Sequence, residues 1–475
     1  MATETSWAQT EFGQAQLGDK RLTQRLVKLA EQFEAQPFAS IPQACGTWAN
    51  TQAAYDFFDN DKVEVTSIVG AHRGATVGRM TGEAVVLAVQ DTVYLNYTTH
   101  PSTLGLGPIG TKAQNQQGLV MHVTEAVTPS GVPLGLLDTQ MWARGDSATC
   151  TSCQSNRPAV NPQARPIEEK ESYKWLAALY SSVKNMPPGV QIVSVCDRES
   201  DIFEYLDFAR HLHARVVIRA AQDRKVESDE GMGKLWDTVL ASPVTGTLQV
   251  HLSAREGQPA REAQLQVRYT KLKLVPPARL TPSGRHGKPK KLRRLPVWAV
   301  LTLEVAPPEG TKPISWLLLT TIAVNTFPDA CERIAWYAQR WKIEVFFDLF
   351  ENGCKVEDRR LRTDQRLMRC LAVYLVVAAR LQRMTFLARR APDDSCLAIL
   401  STDEWQALYC FVNETVHLPE QPPTLRQALR WVAQLGGFLG RKGDGEPGIR
   451  TIWRGWQRLQ DLVGLWRIVR TETCE

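Results

Sequence analysis

The sequence has no long hydrophobic run. Its longest apolar stretch, around Leu371–Ala379, is far shorter than the roughly 20 residues that a membrane-spanning helix requires. The N-terminal residues MATETSWAQTEFGQAQLGDK contain neither the basic segment nor the apolar segment of a secretory signal. We therefore expect neither a membrane protein nor an exported protein, and we predict a cytoplasmic location.

Paired cysteines are also scarce. The ten cysteines lie far apart, and only Cys150 and Cys153 form a C-x-x-C pair. A structural zinc site needs four ligands, and no second Cys or His pair lies near this one in the sequence. The pattern favours reduced thiols in a cytoplasmic protein over a zinc site.

The overall charge is nearly balanced. The 475 residues include 56 Lys and Arg against 50 Asp and Glu, which gives a net charge of +6. With 43% hydrophobic and 22% charged residues, the composition is that of a folded globular protein and argues against wholesale disorder. The length allows roughly two to four domains.

Positive charge is concentrated in one segment, Thr281–Arg294, which reads TPSGRHGKPKKLRR and contains no acid. A solvent-exposed loop is one interpretation of such a run. The other is an electrostatic contact with a polyanion, for which nucleic acid is the best match.

Helical periodicity predicts helices towards both ends of the chain. Lys20–Glu34 carries a leucine stripe along one face, and Ser40–Asp61 predicts a second helix with Trp48 on its buried side. Towards the C-terminus, Asp329–Phe350 and Leu367–Arg390 have the same periodicity. We therefore expect a helical unit at each end.

Apolar, β-branched runs predict a sheet in the middle of the chain. Ala84–Val89 and Gln191–Val195 have the composition of strands buried on both faces. Leu119–Ala126 and Val132–Gln140 fit as partner strands joined by a turn. Residues 220–320 are β-rich, and we interpret them as a largely β insertion in an α/β fold.

An acid follows each of the two central strands, Asp91 after the first and Asp197 after the second. An Asp at the carboxyl end of a central strand projects into the crevice where open α/β sheets bind ligands. Two close carboxylates repel each other and are tolerated chiefly beside a divalent cation. The alternative is that each Asp caps the loop or helix that follows it.

A third polar group lies on the predicted helix Asp329–Phe350. At about 100° per residue, Tyr337, Arg340 and Glu344 share one helix face. A hydroxyl, a guanidinium and a carboxylate aligned beside a sheet are able to hold a phosphate and a metal ion together. The alternative is a solvent-exposed face with salt bridges between residues one turn apart.

These motifs resemble those of bacterial DDE transposases of the insertion-sequence-four family, and the matches run in order through nearly the whole chain. Three of them surround the polar groups described above: LAVQDT around Asp91, VCDRESDIFEYL around Asp197, and YAQRWKIE from Tyr337 to Glu344. The others are LGDKR from Leu17, AAYDFFDN from Ala53, EKESYKWL from Glu169, SWLLLT from Ser315, LGGFLGRK from Leu435 and WRGW from Trp453.

The resemblance implies an α/β fold with an RNase H-like catalytic core, a mostly β insertion and helical flanking domains. It implies that Asp91, Asp197 and Glu344 bind two Mg²⁺ ions, with Mn²⁺ as a substitute. The implied reaction is metal-dependent cleavage of DNA ends, through a hairpin, followed by joining of those ends to target DNA.

The resemblance also implies a set of DNA contacts. Trp316 would stack on a flipped base while Trp341 shapes its pocket, although a Trp in an apolar strand is otherwise a core residue. Tyr337 and Arg340 would bind phosphates near the flipped nucleotide. The remaining implied contacts are Arg219, Lys355 and the basic-run residues Arg285, Lys288, Lys290, Lys291, Arg293 and Arg294.

Two positions depart from the family pattern. The family commonly has a lysine seven residues after the glutamate, where this chain has Glu351. A lysine also occurs in the family at the position of Asp348. We expect Lys355, one turn further along the same helix face, to supply the missing positive charge. The sequence leaves open whether the two acids reduce activity.

We expect three domains and two kinds of partner. Residues 1–70 would form a helical unit that binds DNA ends, residues 71–385 the catalytic domain with its β insertion, and residues 386–475 a helical dimerisation domain. The expected partners are double-stranded DNA, as element ends and as target, and a second copy of the chain in the synaptic complex. A DNA-bound protein of this kind would be associated with the bacterial nucleoid.

Two other functions stay open at this stage. One is a catalytically weakened transposase derivative that binds DNA ends and inhibits transposition, which the acids at Asp348 and Glu351 favour. The other is an RNase H-like nuclease without strand transfer. A glycosidase with two carboxylates would leave the basic run and the Tyr337–Arg340 pair unexplained.

Overall fold

The computed structural model describes residues 6–145, 166–252, 260–277 and 292–472. The C-x-x-C pair, Cys150 and Cys153, lies outside these ranges, as do Arg285, Lys288, Lys290 and Lys291 of the basic run. The seven cysteines within these ranges are free thiols, as the sequence predicts.

Five helices precede the sheet. The predicted helix over Lys20–Glu34 is confirmed as α2, which begins after Asp19, whose carboxylate accepts a hydrogen bond from the backbone N–H of Arg21. Its leucine stripe is buried, as the periodicity predicts. The five helices are α1 (Trp7–Phe12), α2 (Lys20–Ala35), α3 (Ile41–Cys45), α4 (Trp48–Asp59) and α5 (Val65–Met80).

The prediction of one helix over Ser40–Asp61 is wrong, because the segment is divided between α3 and α4. Gly46 ends α3 with a φ of +72°, a conformation that glycine adopts without the strain of a side chain. The chain then changes direction, and Trp48 in the first turn of α4 is 79% exposed. The expectation that Trp48 is buried is therefore also wrong.

A mixed sheet begins after these helices. The order of its first strands is β4-β3-β1-β5-β6, in which β4, β3 and β1 pair antiparallel while β1, β5 and β6 pair parallel. The four predicted central strands are all present. The strands are β1 (Val85–Asn96), β2 (Gly107–Ile109), β3 (Gln116–Val127), β4 (Pro133–Trp142), β5 (Gln191–Cys196) and β6 (Arg215–Arg219).

The described residues of the region 220–320 are largely β, as predicted, and include one short helix. It continues the same sheet, because β12 pairs antiparallel with β6 and β11 and β10 follow outward. Its elements are β7 (Lys225–Ser228), β8 (Gly231–Lys234), α8 (Leu235–Ala241), β9 (Gly246–Leu252), β10 (Arg261–Leu274), β11 (Leu295–Glu304) and β12 (Ser315–Thr320).

Helices cover the sheet and complete the chain. Two of them connect β4 to β5 and β5 to β6, and six follow the last strand. They are α6 (Tyr173–Lys184), α7 (Phe203–His211), α9 (Phe327–Ala338), α10 (Trp341–Asp348), α11 (Asp364–Arg390), α12 (Thr402–Val412), α13 (Leu425–Leu435) and α14 (Ile449–Glu472).

The long helix α11 lies at the centre of the helical layer. Among the described helices, it is the one that is long and apolar enough to cross a membrane by length and composition, but 83% of its apolar window is buried inside the protein. The stretch Leu371–Ala379 is entirely buried. Packing within the core therefore accounts for its apolar character.

The N-terminal and C-terminal helices pack against one continuous core. The ring of Phe33 in α2 stacks on that of Tyr374 in α11, with centroids 4.6 Å apart. Phe38 stacks on Trp453 of α14 at 4.7 Å. Both ends of the chain therefore contact the same central helices and are positioned relative to the sheet.

Arg359 joins the N-terminal helices to the segment before α11. This side chain is 3% exposed, and its guanidinium donates hydrogen bonds to the carbonyls of Pro37, Ala39 and Cys354. It also lies over the ring of Tyr374, 4.6 Å from the centroid. One buried cation thus satisfies three backbone acceptors from two parts of the chain.

We expect Arg359→Met to lower the free energy of unfolding by about 3 kcal/mol, because three buried carbonyls would lose their donor. Urea unfolding followed by circular dichroism measures this loss. The matched control is Arg360→Met, next in the chain and exposed, which should change the value by less than about 0.5 kcal/mol. Equal effects of the two variants would contradict the assigned role of Arg359.

Candidate active site

The two acids predicted from the strands lie side by side. In the parallel pair β1–β5, Gln90 is opposite Cys196, so Asp91 and Asp197 occupy the next position on adjacent strands. Cys196 is in turn opposite Ile218 of β6, which places Arg219 next in the same row. Adjacent strands are about 4.8 Å apart, so this row brings two carboxylates and a guanidinium close together. We call Asp91 and Asp197 the acid row.

The two acids differ in local structure. The sequence suggested that Asp91 lies at the end of its strand. In the structure it lies inside the strand, because β3 pairs with β1 as far as Asn96. Asp197 is the first residue after β5, and its carboxylate accepts a hydrogen bond from the backbone N–H of Glu199 at 2.8 Å. The capping alternative therefore holds for Asp197 but not for Asp91.

The predicted helix Asp329–Phe350 is interrupted at the candidate site. It consists of α9 and α10, and the turn between them is tightened: the backbone N–H groups of Arg340 and Ile343 donate to the carbonyls three residues earlier, those of Tyr337 and Arg340. Such a tight turn within a helix often marks a functional hinge. The interruption lies inside the motif that carries Tyr337, Arg340 and Glu344.

Arg340 links the helix to the strand acids. Its Nη1 donates to Oδ2 of Asp91 at 2.9 Å, and its Nη2 donates to Oε1 of Glu344. The guanidinium therefore lies between two of the three predicted metal ligands. The predicted face of Tyr337, Arg340 and Glu344 is brought beside the acid row, and the salt bridge between residues one turn apart is also present.

Crowding changes the protonation of the acid row. Burial, followed by the charge of Asp197, raises the pKa of Asp91 to about 6, although the N–H of Thr92 and the Arg340 guanidinium act in the opposite direction. Burial also raises the pKa of Asp197. The site is therefore short of positive charge even with Arg340 in place.

The donor atoms suit a divalent cation, but their arrangement differs from that of a closed metal site. Within the described ranges, no group of three His, Cys, Asp or Glu side chains is positioned to hold a metal ion. Carboxylate oxygens are the ligands that Mg²⁺ prefers, and Asp91, Asp197 and Glu344 all supply them. The residues fit the ion chemically, provided that Arg340 releases Asp91 and Glu344.

Tyr337 and Trp316 form the next part of the site. Tyr337 is 4% exposed, and the half-buried ring of Trp316 meets it edge-on with centroids 5.2 Å apart. Arg219 interacts with the Tyr337 hydroxyl and donates to the carbonyl of Ser315 at 2.9 Å. The core interpretation of Trp316 is thus correct in part, since one side of this ring packs while the other stays accessible.

Trp341 lies on the outer side of α10. It is 43% exposed and meets the ring of Phe386 at 5.7 Å. The ammonium of Lys342 lies 3.9 Å from the Trp341 ring centroid, an arrangement that favours cation–π attraction. An exposed aromatic ring is thereby held in a fixed orientation beside Glu344.

The expected position of Lys355 on the helix face is wrong. Helix α10 ends at Asp348, a π-helical turn covers Leu349–Gly353, and Lys355 follows with a φ of 45°. Lys355 is exposed but does not extend the Glu344 face. The helical periodicity did not indicate this change of backbone conformation.

The two acids that replace family lysines have different surroundings. Asp348 accepts hydrogen bonds from Arg450 of α14, at 2.7 Å for the shorter one, and this pairing lowers the pKa of Asp348. Burial, followed by Glu357 and Asp348, raises the pKa of Glu351 to about 7. Asp348 is therefore neutralised by the C-terminal helices, whereas Glu351 is half-buried without a cation beside it among the described contacts.

The described end of the basic run is remote from the acid row. Arg219, which continues the acid row, is opposite Leu318 of β12, and Leu318 is opposite Val300 of β11. Arg294 comes six residues before Val300, which is about 20 Å along the strand. Arg294 pairs with Glu227, and Arg293 is exposed. The structure therefore does not bring these two arginines to the candidate site.

Sequence reasoning missed two residues behind the row. Lys174 is 6% exposed, lies 3.5 Å from the Glu199 carboxylate and favours the ionised form of Asp197. His122 shares a hydrogen bond with the Thr92 hydroxyl at 2.9 Å, and burial, with Lys174, lowers its pKa to about 3. Lys174 lies in the EKESYKWL motif, and this motif could have identified it from the sequence.

Two family models match the chain, one at each end. A model described as transposase DNA-binding matches residues 4–63, which include α1 to α4. A model described as transposase Tn5 dimerisation domain matches residues 376–473, which include the second half of α11 and helices α12 to α14. The chain is therefore similar to transposases both before and after the residues that form the sheet with the acid row.

We expect Asp91→Asn to stabilise the protein at neutral pH but not at low pH. Because the folded-state pKa of Asp91 is raised to about 6 from 3.8, the parent protein loses stability as pH rises between these values. The variant avoids this loss, so its advantage should grow by roughly 2 to 3 kcal/mol between pH 4 and pH 7.5.

Urea unfolding of both proteins at the two pH values measures this difference. Titrating groups that do not interact with Asp91 are common to both proteins and cancel in the comparison. Asp393→Asn, at an exposed loop position, is the control and should show no pH-dependent advantage. A constant difference between Asp91→Asn and the parent would contradict the crowding of the row.

Proposed function

Since the chain belongs to the IS4 family of Tn5-like transposases, we propose that it cuts DNA at the ends of a mobile element and joins them to a target DNA. The observation that carries this proposal is the acid row with Glu344 beside it, joined by Arg340, between a DNA-binding unit and a dimerisation unit. The reaction would be metal-dependent phosphoryl transfer in a cut-and-paste pathway. Its location would be the bacterial cytoplasm.

The proposed catalytic core is RNase H-like. The strand order β4-β3-β1-β5-β6, antiparallel in its first three strands and parallel in its last three, supports this proposal. Strands β7 to β12 would then be the insertion, built as an extension of the core sheet. The acids of the core come from adjacent parallel strands and the third carboxylate from the helix after the insertion.

Asp91, Asp197 and Glu344 would hold two Mg²⁺ ions, for which Mn²⁺ would substitute. When bound, such ions activate the attacking oxygen and stabilise the leaving oxygen of the phosphodiester. The chain's own contribution is to keep three carboxylates on a rigid sheet and helix, with Lys174 favouring the ionised form of Asp197.

Arg340 would exchange partners when DNA binds. Its guanidinium now pairs with Asp91 and Glu344, and a DNA phosphate is an alternative partner that binds arginine through the same fork of N–H donors. Transfer of Arg340 to the phosphate would release both carboxylates for the cations. Tyr337 and Arg219, which contact each other beside Asp197, would bind the same strand.

Half-buried Trp316 and exposed Trp341 would serve a hairpin step. Bending one strand sharply requires a base to leave the stack, and an aromatic ring stabilises such a base. Trp316 would stack on the base, because one side of its ring is accessible beside Tyr337. Trp341, held by Phe386 and Lys342, would form the wall of the pocket.

The N-terminal unit would bind the inverted repeat of the element. Helix α2 carries Arg21, Arg25 and Lys28, and the last two lie near Cys45 at the turn that leads to α4. Exposed Trp48 follows at the start of α4. Basic and aromatic groups on one surface are suited to DNA.

The C-terminal helices would bind a second copy of the chain. Helices α12 and α14, with residues 414–417 after α12, line an open apolar groove of about 620 Å³. The side chains of Phe411, Val416 and Leu465 line this groove and are 56%, 79% and 60% exposed. Apolar surface of this kind is typical of an interface, and a dimer would allow two DNA ends to be held together.

A second candidate is a catalytically weakened relative that binds DNA ends without cutting them. The observation that favours it is the Arg340 bridge, because two carboxylates are engaged by a cation of the chain itself. The two candidates share DNA binding and dimer formation. They differ in strand cleavage, which the next experiment measures.

We expect Asp91→Ala, Asp197→Ala and Glu344→Ala each to reduce cleavage at least 1,000-fold, of the order found when a catalytic group is removed. The substrate is a linear duplex that carries the terminal repeat read from the DNA flanking the gene, assayed with Mg²⁺ or Mn²⁺. Binding of the same duplex in EDTA should be retained, because the carboxylates contribute no attraction to phosphate.

The control is Glu332→Ala, an exposed acid on α9, which should cleave at the parent rate. Full cleavage by any of the three variants would remove that residue from the site. No cleavage by the parent protein, with binding intact, would favour the weakened relative.

We expect Phe411→Asp to prevent dimer formation on DNA, because it places a charge in an apolar contact. Light scattering coupled to size-exclusion chromatography, with the terminal-repeat duplex present, measures the mass of the complex. Leu439→Asp is the matched control, since Leu439 is also exposed, at 70%, but lies outside the α12–α14 surface. A dimer that survives Phe411→Asp would place the interface elsewhere.

A further inference from the structure

A second cavity, open to solvent, lies away from the acid row. It has a volume of about 480 Å³ and is bordered by the loop after β1, residues 99–104, and by residues 360–362 before α11. The two segments are tied together: the backbone N–H of Leu104 donates to the carbonyl of Arg362 at 2.9 Å, and the Thr103 hydroxyl donates to that of Leu361 at 2.8 Å. The walls of the cavity are therefore fixed before any ligand binds.

Two arginines of this cavity lack an acidic partner. Arg360 and Arg362 are exposed, and neither forms an ion pair with any residue in the described part of the chain. The next two arginines behave differently, since Arg366 pairs with Asp59 and Arg369 with Asp61. Of the four arginines in residues 360–369, the two at the cavity are therefore the ones without an ion pair in the described part of the chain.

A buried histidine completes the wall. His100 is 7% exposed, and its Nδ1 has no hydrogen-bond partner among the described residues. The imidazole otherwise contacts the backbone of Arg359. Because this nitrogen is itself buried, the ring packs behind the wall and offers no hydrogen bond to a ligand in the cavity. The hydroxyls of Thr99 and Ser102 line the same cavity.

The acids near His100 do not neutralise the two arginines. Glu357 accepts a hydrogen bond from the backbone N–H of Asn96 at 2.6 Å. Asp358 is exposed and forms no ion pair with Arg360 or Arg362. Two guanidinium groups and two hydroxyls therefore line a space that suits an oxyanion.

We infer that this cavity binds a backbone phosphate of the DNA end, at a distance from the cleavage site. The inference rests on the proposed function, because it requires a bound DNA end. Its position supports a DNA phosphate over a free one: β1 runs from Asp91 towards this loop, and Asp91 and Asn96 are about 17 Å apart along the strand. That distance corresponds to about five base pairs of duplex.

The cavity also borders the N-terminal unit. Arg366 and Arg369, which follow the cavity residues, pair with Asp59 and Asp61 at the end of α4. A duplex bound by both the N-terminal unit and the acid row would have to cross the surface between these two sites. In this arrangement the cavity would contact the duplex on its path and fix its register without reading its sequence.

The test is the salt dependence of DNA binding by a double variant, Arg360→Ala with Arg362→Ala. Loss of one phosphate contact should lower the slope of log affinity against log salt by about 0.9, which is an affinity loss of about eightfold at 100 mM salt. Binding is measured by fluorescence anisotropy with the terminal-repeat duplex in EDTA, so that cleavage plays no part. The full-length protein is used throughout.

The matched control removes the same charge elsewhere. Arg215 and Arg390 are exposed, and neither lies at the cavity or the acid row. The double variant Arg215→Ala with Arg390→Ala should keep the parent slope. An equal change in both double variants would attribute the effect to net charge and would overturn the inference.

Uncharged phosphates give a second measurement. Duplexes with a single methylphosphonate are scanned along both strands, and one position should weaken binding of the parent protein but not of the Arg360–Arg362 variant. The absence of such a position overturns the inference. So does the binding of inorganic phosphate, detected by calorimetry, together with unchanged DNA binding by the variant, because the cavity would then serve a free anion.

The two proposals fail separately. If the parent protein binds the duplex and the variant keeps its slope, the phosphate cavity is wrong and the proposed function is unaffected. If the parent protein does not bind the duplex at all, both are wrong. Loss of cleavage in the carboxylate variants has no effect on this test, since no metal is present.

Discussion

Repulsion between two carboxylates on adjacent parallel strands is the constraint around which the site is organised. The register of β1 and β5 places Asp91 and Asp197 side by side on strands about 4.8 Å apart. Burial makes this crowding more costly, as the raised pKa of Asp91 indicates. Two neighbouring elements supply compensation: Lys174 from α6 and Arg340 from the turn before α10.

The Arg340 bridge connects this constraint to function. A guanidinium can be drawn away by a phosphate, whereas a carboxylate row cannot relieve its own repulsion without a cation. In the proposed function, the same arrangement holds the site together in the protein alone and would give way to DNA and divalent cations. The tight turn between α9 and α10, on which Arg340 lies, gives the exchange a defined position in the backbone.

The remainder of the chain fixes the site relative to DNA. Arg359 and the stacked pairs Phe33–Tyr374 and Phe38–Trp453 join the N-terminal helices, α11 and the C-terminal helices in one core. Asp348 belongs to the same system, because its charge is used to bind Arg450 of α14. A position where a lysine occurs in the family is here a contact between α10 and α14.

The sequence by itself determined what local patterns encode. Periodicity located α2 and the four central strands, and the motifs identified Asp91, Asp197, Glu344, Tyr337 and Arg340, because residue type and spacing are local properties. It did not determine where long-range packing overrides the pattern. Gly46 turns α4 so that Trp48 is exposed, and a π-helical turn removes Lys355 from the helix face. Only the tertiary structure decided that Arg340 bridges Asp91 and Glu344, two acids 253 residues apart, and that β11 carries Arg294 away from them. The reason is that strand register and helix packing bring together parts of the chain that lie far apart in the sequence.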